Sequence, residues 1–297
     1  MFDITFLGTA SMQPTKERNL SSVLVSNGNE NILVDCGEGA QRQFKISGLK
    51  PTKITKILIS HWHADHVLGL GGLMRYLGAN EYNGILEIYG PKGINKYFEN
   101  ILHSSIYNEL VKYKLFELKE GKLFENKFFS VEAYKLEHTA DCFGFSFTEK
   151  DKRKININYL KKFGLKQNPI LGKLQNGKDI VWEGKKIKAK DATFLVKGKK
   201  VSFILDTGYC NKTLKIAKDS DLVISEATYS HEHKDKAIAY KHLTAKQAAE
   251  IAKKAKAKEL ILTHFSQRYE NANILLKEAK SVFKNVRLAD DFMNVKV

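Results

Sequence analysis

Ser60-His61-Trp62-His63-Ala64-Asp65-His66 stands between two segments of opposite character. Before it, Ile54-Thr55-Lys56-Ile57-Leu58-Ile59 is apolar and β-branched and reads as a buried strand. After it, Val67-Leu68-Gly69-Leu70-Gly71-Gly72-Leu73-Met74-Arg75-Tyr76-Leu77 has helical spacing in spite of its glycines. Three imidazoles and a carboxylate therefore sit where a strand gives way to a helix. Residues two apart in extended chain point to the same side, so His61 and His63 can share a face. Asp65 and His66, just past the turn, can address a second locus nearby. Three of the nine His of this chain fall within six positions, which packing explains poorly. Neutral imidazole nitrogens beside a carboxylate oxygen suit zinc or a similar divalent ion.

Composition narrows the setting. A chain of 297 residues that is 43% hydrophobic and 28% charged is ordinary for a globular protein with a substantial core. No apolar run approaches the roughly 20 residues that cross a bilayer. Met1-Phe2-Asp3-Ile4-Thr5-Phe6 alternates like a strand and lacks the basic start of a signal peptide. Cys36, Cys142 and Cys210 are odd in number and far apart, which argues against a disulfide framework. A cytoplasmic protein with no segment that crosses a membrane is the expectation. Charge is less ordinary: 49 Lys and Arg against 33 Asp and Glu give +16. Residues 150–200 alone hold sixteen of the basic residues and four of the acidic ones, so the excess is concentrated rather than uniform. A concentrated basic segment is the electrostatic footprint of a polyanion partner, and RNA, DNA and an acidic membrane surface all fit such charge.

Taken in order, Phe2-Ile4-Phe6 opens a first strand, and Gly8 to Asn19 is a polar loop. Val23-Leu24-Val25 and Ile32-Leu33-Val34 flank an Asn27-Gly28 hairpin signal, and Ala40 to Ile46 reads as a short helix. Ile85 to Tyr89 is a strand, Gly93 to Tyr107 a helix, and Phe128 to Leu136 and Phe143 to Phe147 are strands. Residues 150–190 are breaker-rich and basic and read as a partly helical excursion from the core. Thr193 to Val196 and Val201 to Leu205 read as a strand pair across Lys197-Gly198-Lys199-Lys200. Asp221 to Ser225 and Glu259 to Thr263 are further strands. Thr244-Ala245-Lys246-Gln247 is a capping box opening a helix with an alanine stripe, and a last helix lies near Asn271–Phe283.

Four scattered residues then acquire a common position. His66 follows a strand, and His138, Asp206 and His264 each end one. Strand ends are where layered α/β folds present functional side chains. The run His-x-His-x-Asp-His resembles the signature of the metallo-β-lactamase superfamily, which implies an α/β fold, a four-layer αβ/βα sandwich, with a two-metal hydrolytic site at one edge. The superfamily pattern implies His61, His63 and His138 on one metal, Asp65, His66 and His264 on the other, and Asp206 bridging them.

Further motifs sharpen the resemblance. Pro14-Thr15-Lys16-Glu17-Arg18-Asn19 fits Pro-x-Lys-x-Arg-Asn, Glu226-Ala227-Thr228 and His242-Leu243-Thr244 fit Glu-Ala-Thr and His-x-Thr, and Arg268-Tyr269 follows His264. Together they are similar to the short-form ribonuclease Z family, the transfer RNA 3′-processing endonucleases, over essentially the whole chain, 1–297. The resemblance implies a single domain holding two zinc ions per subunit, with manganese or iron also acceptable. It implies hydrolysis of precursor tRNA after the discriminator nucleotide, leaving a 3′-hydroxyl and a 5′-phosphorylated trailer. His242 would protonate the leaving oxygen, Glu226 would orient His242, and Asp65 would ligate and help deprotonate the water. Pro14, Lys16, Arg18, Asn19, Thr244 and Arg268 would contact substrate. The excursion at 150–190 would be a basic protruding arm that clamps tRNA, in a homodimer where one subunit's arm serves the other. This chain departs from the family in the arm, with Asn168-Pro169 where Gly-Pro is usual. The rival expectation is a small-molecule hydrolase of the same superfamily, such as a thioesterase, lactonase or phosphodiesterase. Such an enzyme needs the metal ligands but neither the Lys16/Arg18 loop nor the basic excursion.

Overall fold

The computed structural model describes residues 1–108 and 110–297. Two seven-stranded sheets carry the fold. The first runs, edge to edge, Asn294–Lys296, Asp3–Gly8, Ser22–Asn27, Glu30–Val34, Lys56–Leu58, Ile85–Gly90 and Lys112–Glu117. The second runs Val286–Leu288, Leu260–Thr263, Leu222–Glu226, Lys200–Ile204, Asp141–Glu149, Phe129–Glu137 and Gly121–Glu125. Alternation in the strands puts Phe2, Ile4 and Phe6 of one sheet against Phe145, Phe147 and Phe203 of the other, all wholly buried. Phe2 meets Phe129 edge-on at 5.5 Å, and Phe147 meets Phe203 likewise at 5.5 Å.

The outer faces are covered by helices. Ala40–Ser47, Gly69–Ala79 and Ile94–Leu102 pack on the first sheet through Phe44, Leu73, Leu77 and Phe98. On the second, the alanine stripe of Ala245–Lys254 lies against Leu260 and Leu262, and its small side chains bring helix and strand close. The capping box closes reciprocally between Thr244 and Gln247. Helix, sheet, sheet, helix is the four-layer αβ/βα arrangement the resemblance implied. The strand pair around Gly28 also forms, with the positive φ of 63° on the glycine.

Three expectations need correction. Thr193–Val196 and Lys200–Ile204 are not a hairpin: the former pairs with Lys152–Ile155, the latter with Asp141–Glu149 and Leu222–Glu226. Gly198 is pressed against Glu149, where a β-carbon would lie 1.9 Å from the carbonyl oxygen, so only glycine lets the connection pass this close. The helix expected over Gly93–Tyr107 stops at Leu102. The Arg75 guanidinium captures the carbonyls of Leu102 and Ser105 there, satisfying groups that another helical turn would have used. The glycine-rich helix is two, Ala64–Val67 and Gly69–Ala79. A β-carbon on Gly69 would stand 2.1 Å from the Gly37 carbonyl, so only glycine permits this approach. The strands Lys112–Glu117 and Gly121–Glu125 add to those the sequence pattern marks.

The basic excursion leaves the second sheet after Asp141–Glu149 and returns before Lys200–Ile204. The pair Lys152–Ile155 and Thr193–Val196 closes its base. Beyond it, Leu160, Leu165, Leu174, Ile180 and Ile187 form a small apolar cluster of their own. Among the described residues no helix is long and apolar enough to cross a membrane.

Candidate metal centre

Strand ends and their following turns converge at one edge of the two sheets. His61 and His63 lie on the loop after Lys56–Leu58, and Asp65 and His66 lie in the short helix Ala64–Val67. His138 follows Phe129–Glu137, Asp206 follows Lys200–Ile204, and His264 follows Leu260–Thr263. His264 takes a left-handed φ of 60°, costly for a residue with a β-carbon and held by the contacts around its ring.

Two groups of ligand atoms result. His61 Nε2 is 2.9 Å from His63 Nδ1, which is 3.2 Å from His138 Nε2. Asp206 Oδ2 stands 3.6 Å from His61 Nε2 and 3.9 Å from His138 Nε2. In the second group, His264 Nε2 is 3.2 Å from His66 Nε2 and 3.3 Å from Asp65 Oδ2. The other Asp206 oxygen, Oδ1, is 3.3 Å from His264 Nε2. One carboxylate thus faces both groups.

The opposite ring nitrogens are held from behind. His61 Nδ1 meets Ser60 Oγ at 2.9 Å, His66 Nδ1 the Asp35 carboxylate at 2.7 Å, His138 Nδ1 the Lys241 carbonyl at 2.9 Å and His264 Nδ1 Thr228 Oγ1 at 3.0 Å. Such outer partners fix which nitrogen faces a metal. Burial, reinforced by neighbouring imidazoles, holds His61, His63 and His138 below the ordinary imidazole range, in the neutral form a metal requires. Burial works to raise the Asp65 and Asp206 carboxyls, but the imidazoles of His66 and His264 outweigh it and hold both well below the usual carboxylate range. Among the described residues, Asp206 Oδ1 is buried without a hydrogen-bond partner. Lone pairs crowded to about 3 Å beside an unpartnered buried carboxylate oxygen fit divalent cations, and the nitrogen-rich set with carboxylate suits zinc.

Next to this cluster stands a second pair. His242 Nδ1 lies 3.1 Å from both oxygens of the fully buried Glu226. Thr207 N–H and the Thr228 hydroxyl donate to the same carboxylate at 2.8 and 2.7 Å. Burial alone would depress the His242 imidazole; Glu226 reverses this and pushes it up to about 9. The His242 side chain is 13% exposed and 4.0 Å from Asp206.

The residues expected to contact substrate have mixed placements. Pro14 and Lys16 are exposed. Arg18 donates to Thr9 Oγ1, the Ala289 carbonyl and Asp290, and its guanidinium lies 4.8 Å from the centre of the Phe265 ring. Asn19 donates to the Glu38 carbonyl at 2.9 Å. Lys16, Arg18, Ser266 and Tyr269 line one cavity of 490 Å³, which joins this loop to the segment after His264. Thr244 is buried in its helix cap, and Arg268 lies over the Tyr229 ring. Sequence reasoning did not assign Asp35, the Lys241 carbonyl or the Thr228 hydroxyl a role at this centre. The positions of Asp35 and Thr228 just past strand ends were the available signal.

Similarity to known proteins is extensive. Residues 2–165 match a family model described as anti-Pycsar protein Apyc1, and residues 178–265 match one described as a beta-lactamase superfamily domain. The first stops short of Asp206, His242 and His264. Ribonuclease Z of Protochlamydia amoebophila is 37% identical over 98% of this chain and 95% of its own length. Ribonuclease Z of Archaeoglobus fulgidus is 38% identical over 100% of this chain and 98% of its own. Among solved structures, human tRNase Z, short form, superposes with a TM-score of 0.73 at 30% identity, covering 99% of this chain and 98% of that one. End-to-end identity at this level, on the metallo-β-lactamase fold, shows that the chain belongs to the ribonuclease Z family.

Proposed function

We propose that this metal-dependent endoribonuclease removes the 3′ trailer of precursor tRNA by hydrolysis after the discriminator nucleotide, leaving a 3′-hydroxyl on the tRNA and a 5′-phosphate on the trailer. The observation that carries the reading is the adjacency of two imidazole–carboxylate donor groups sharing Asp206 to the Glu226–His242 pair. His61, His63, His138 and Asp206 would hold one zinc ion, and Asp65, His66, His264 and Asp206 a second, with manganese or iron acceptable to the same donors. Bound there, the ions supply Lewis acidity that neutralises phosphodiester charge and makes water acidic enough to react near neutral pH.

The chain's own groups divide the remaining work. The Asp65 carboxylate would align the attacking water and assist its deprotonation. Glu226 fixes the His242 ring through Nδ1, and Nε2, which has no protein partner among the described residues, carries the proton for the leaving 3′ oxygen. The exposed Lys16 and the loop Pro14–Asn19 meet the nucleotides past the cut. Arg268 and Thr244 belong to the same substrate face, Thr244 by setting the backbone that follows His242. The basic excursion at 150–190 serves as an arm contacting tRNA phosphates, which bind lysine and arginine without sequence information. A homodimer sharing arms, and a cytosolic setting, follow the family resemblance.

Incubation of the purified protein with a 3′-extended precursor tRNA tests the proposal. Cleavage after the discriminator with the stated end groups is expected. Hydrolysis of simple esters without any cut in the RNA would instead support the small-molecule hydrolase.

A further inference from the structure

Thr228 lies two residues past the strand Leu222–Glu226 and is 3% exposed. Four polar atoms surround its hydroxyl: Glu226 Oε2 at 2.7 Å, His264 Nδ1 at 3.0 Å, the His264 carbonyl at 3.2 Å and His242 Nδ1 at 3.3 Å. A hydroxyl has one proton to give and two lone pairs to offer. Glu226 is the nearest acceptor and the charged one, so the proton goes there. His242 Nδ1 is 3.1 Å from both Glu226 oxygens, so its own N–H is committed to the same carboxylate. The threonine oxygen is left with lone pairs facing His264 Nδ1, and that contact is attractive only when Nδ1 carries the proton. No other partner for His264 Nδ1 exists among the described residues.

We propose that Thr228 is a positioning residue for the metal centre, one hydroxyl that joins the Glu226–His242 pair to His264 and fixes His264 as the Nδ1–H tautomer with Nε2 free to ligate. The inference rests on reading the histidine–aspartate cluster as a metal centre. The direction of the hydrogen bonds matters because His264 Nε2 must present a lone pair to the space it shares with His66 Nε2, 3.2 Å away. His66 is held the same way by Asp35, a carboxylate that can only accept. At His264 the holding group is a neutral hydroxyl, and its donor and acceptor roles are settled only because Glu226 claims its proton. The ring also sits on a left-handed backbone with φ of 60°, so its orientation depends on such a tether.

Zinc affinity of the purified full-length protein, measured by competition against a chelator, tests this. Thr228→Val keeps the shape and removes the hydroxyl; the expected result is binding about 10–100-fold weaker than wild type, a typical loss for an outer partner of a metal-bound histidine. Thr228→Ser keeps the hydroxyl and should bind as wild type does. Equal affinity of Thr228→Val and wild type, or a Thr228→Ser as weak as Thr228→Val, would overturn the proposal. A measurement independent of any folded Thr228 variant is the ring N–H spectrum of the zinc-loaded wild type. The His264 Nδ1 proton, assigned by its loss in His264→Gln, should exchange slowly; rapid exchange would show that no hydroxyl holds it. A wild-type protein that binds no zinc at all would defeat the metal-centre reading itself, a result distinct from each of these.

Discussion

The Asp35 carboxylate accepts from His66 Nδ1 at 2.7 Å while also accepting from the Ser60 N–H at 2.7 Å and the Ser60 hydroxyl at 2.8 Å. The loop carrying the histidine run is thereby fastened to the end of the strand Glu30–Val34 before any substrate arrives. Asp35 has a left-handed φ of 57°, which asparagine also tolerates, so Asp35→Asn removes charge and acceptor capacity without new backbone strain. Metal affinity should fall about 10–100-fold in Asp35→Asn. Asp35→Ala, which leaves the Ser60 and His66 donors unmatched, should also cost about 1–3 kcal/mol of stability. Metal content after dialysis and a thermal melt separate the two effects; unchanged metal content in both variants would reduce Asp35 to a packing residue.

His242 and Glu226 should separate chemistry from binding. If His242 supplies the leaving-group proton, His242→Ala should lower kcat by about 10²–10⁴ with little change in RNA affinity. Glu226→Gln keeps the shape but weakens both the orientation and the charge stabilisation of the ring, and should fall between wild type and His242→Ala. Single-turnover cleavage alongside an equilibrium binding assay makes the check. A variant that lost affinity while keeping its rate would make His242 a binding residue.

Removing metal should destabilise the whole fold. His61, His63 and His138 come from strand ends in both sheets, so ions bound among them would act as cross-links between the layers. Ligand binding to the folded state alone adds about 2.7 kcal/mol at a hundred times Kd. Chelation followed by dialysis should therefore lower the melting temperature, and added zinc should restore it. A melting temperature indifferent to both treatments would contradict metal binding at this site.

Much of this arrangement is legible in the sequence because metal-binding side chains are rare types at simple positions. The strand ending near His138 is readable from alternation, and those ending near Asp206 and His264 from short apolar runs bounded by polar residues. What could not be read is what tertiary pairing decides. Thr193–Val196 and Lys200–Ile204 look like hairpin partners from their alternation and the intervening glycine, yet each pairs elsewhere, a choice made by Lys152–Ile155 and Asp141–Glu149. The outer partners were hidden for another reason. Asp35 and Thr228 are residue types common in turns, so only their position behind a histidine ring distinguishes them.

The basic excursion has a base and a core of its own, so it should be removable. Ile155 and Thr193 face each other where the strand pair ends, which allows residues 156–192 to be replaced by a short glycine-serine turn. The deleted stretch carries nine lysines and three acidic residues. Precursor tRNA should then bind more weakly, and with a flatter salt dependence, by up to about 0.9 in log–log slope for each phosphate no longer neutralised. Hydrolysis of a small phosphodiester should be unaffected. Loss of both activities together would show that the excursion supports the active site.

Lys16 and Arg18 lie two residues apart on one loop in different surroundings, and their variants should differ accordingly. The Arg18 guanidinium is spent on Thr9, the Ala289 carbonyl and Asp290, tying the loop to the C-terminal segment. Asn19 and Gln43 extend that tie through Asp291, and the Met12 N–H reaches Asp65 Oδ2 at 2.8 Å, so the loop ends directly on a candidate metal ligand. Lys16 is exposed and makes no such contact among the described residues. Arg18→Ala should accordingly cost about 1–3 kcal/mol of stability and lower metal affinity through the slackened loop. Lys16→Ala should leave the melt unchanged and weaken binding of trailer-bearing RNA, with a shallower salt slope. The reverse pattern, a destabilised Lys16→Ala beside a stable Arg18→Ala that binds RNA poorly, would place the substrate contact on Arg18 and make Lys16 the brace.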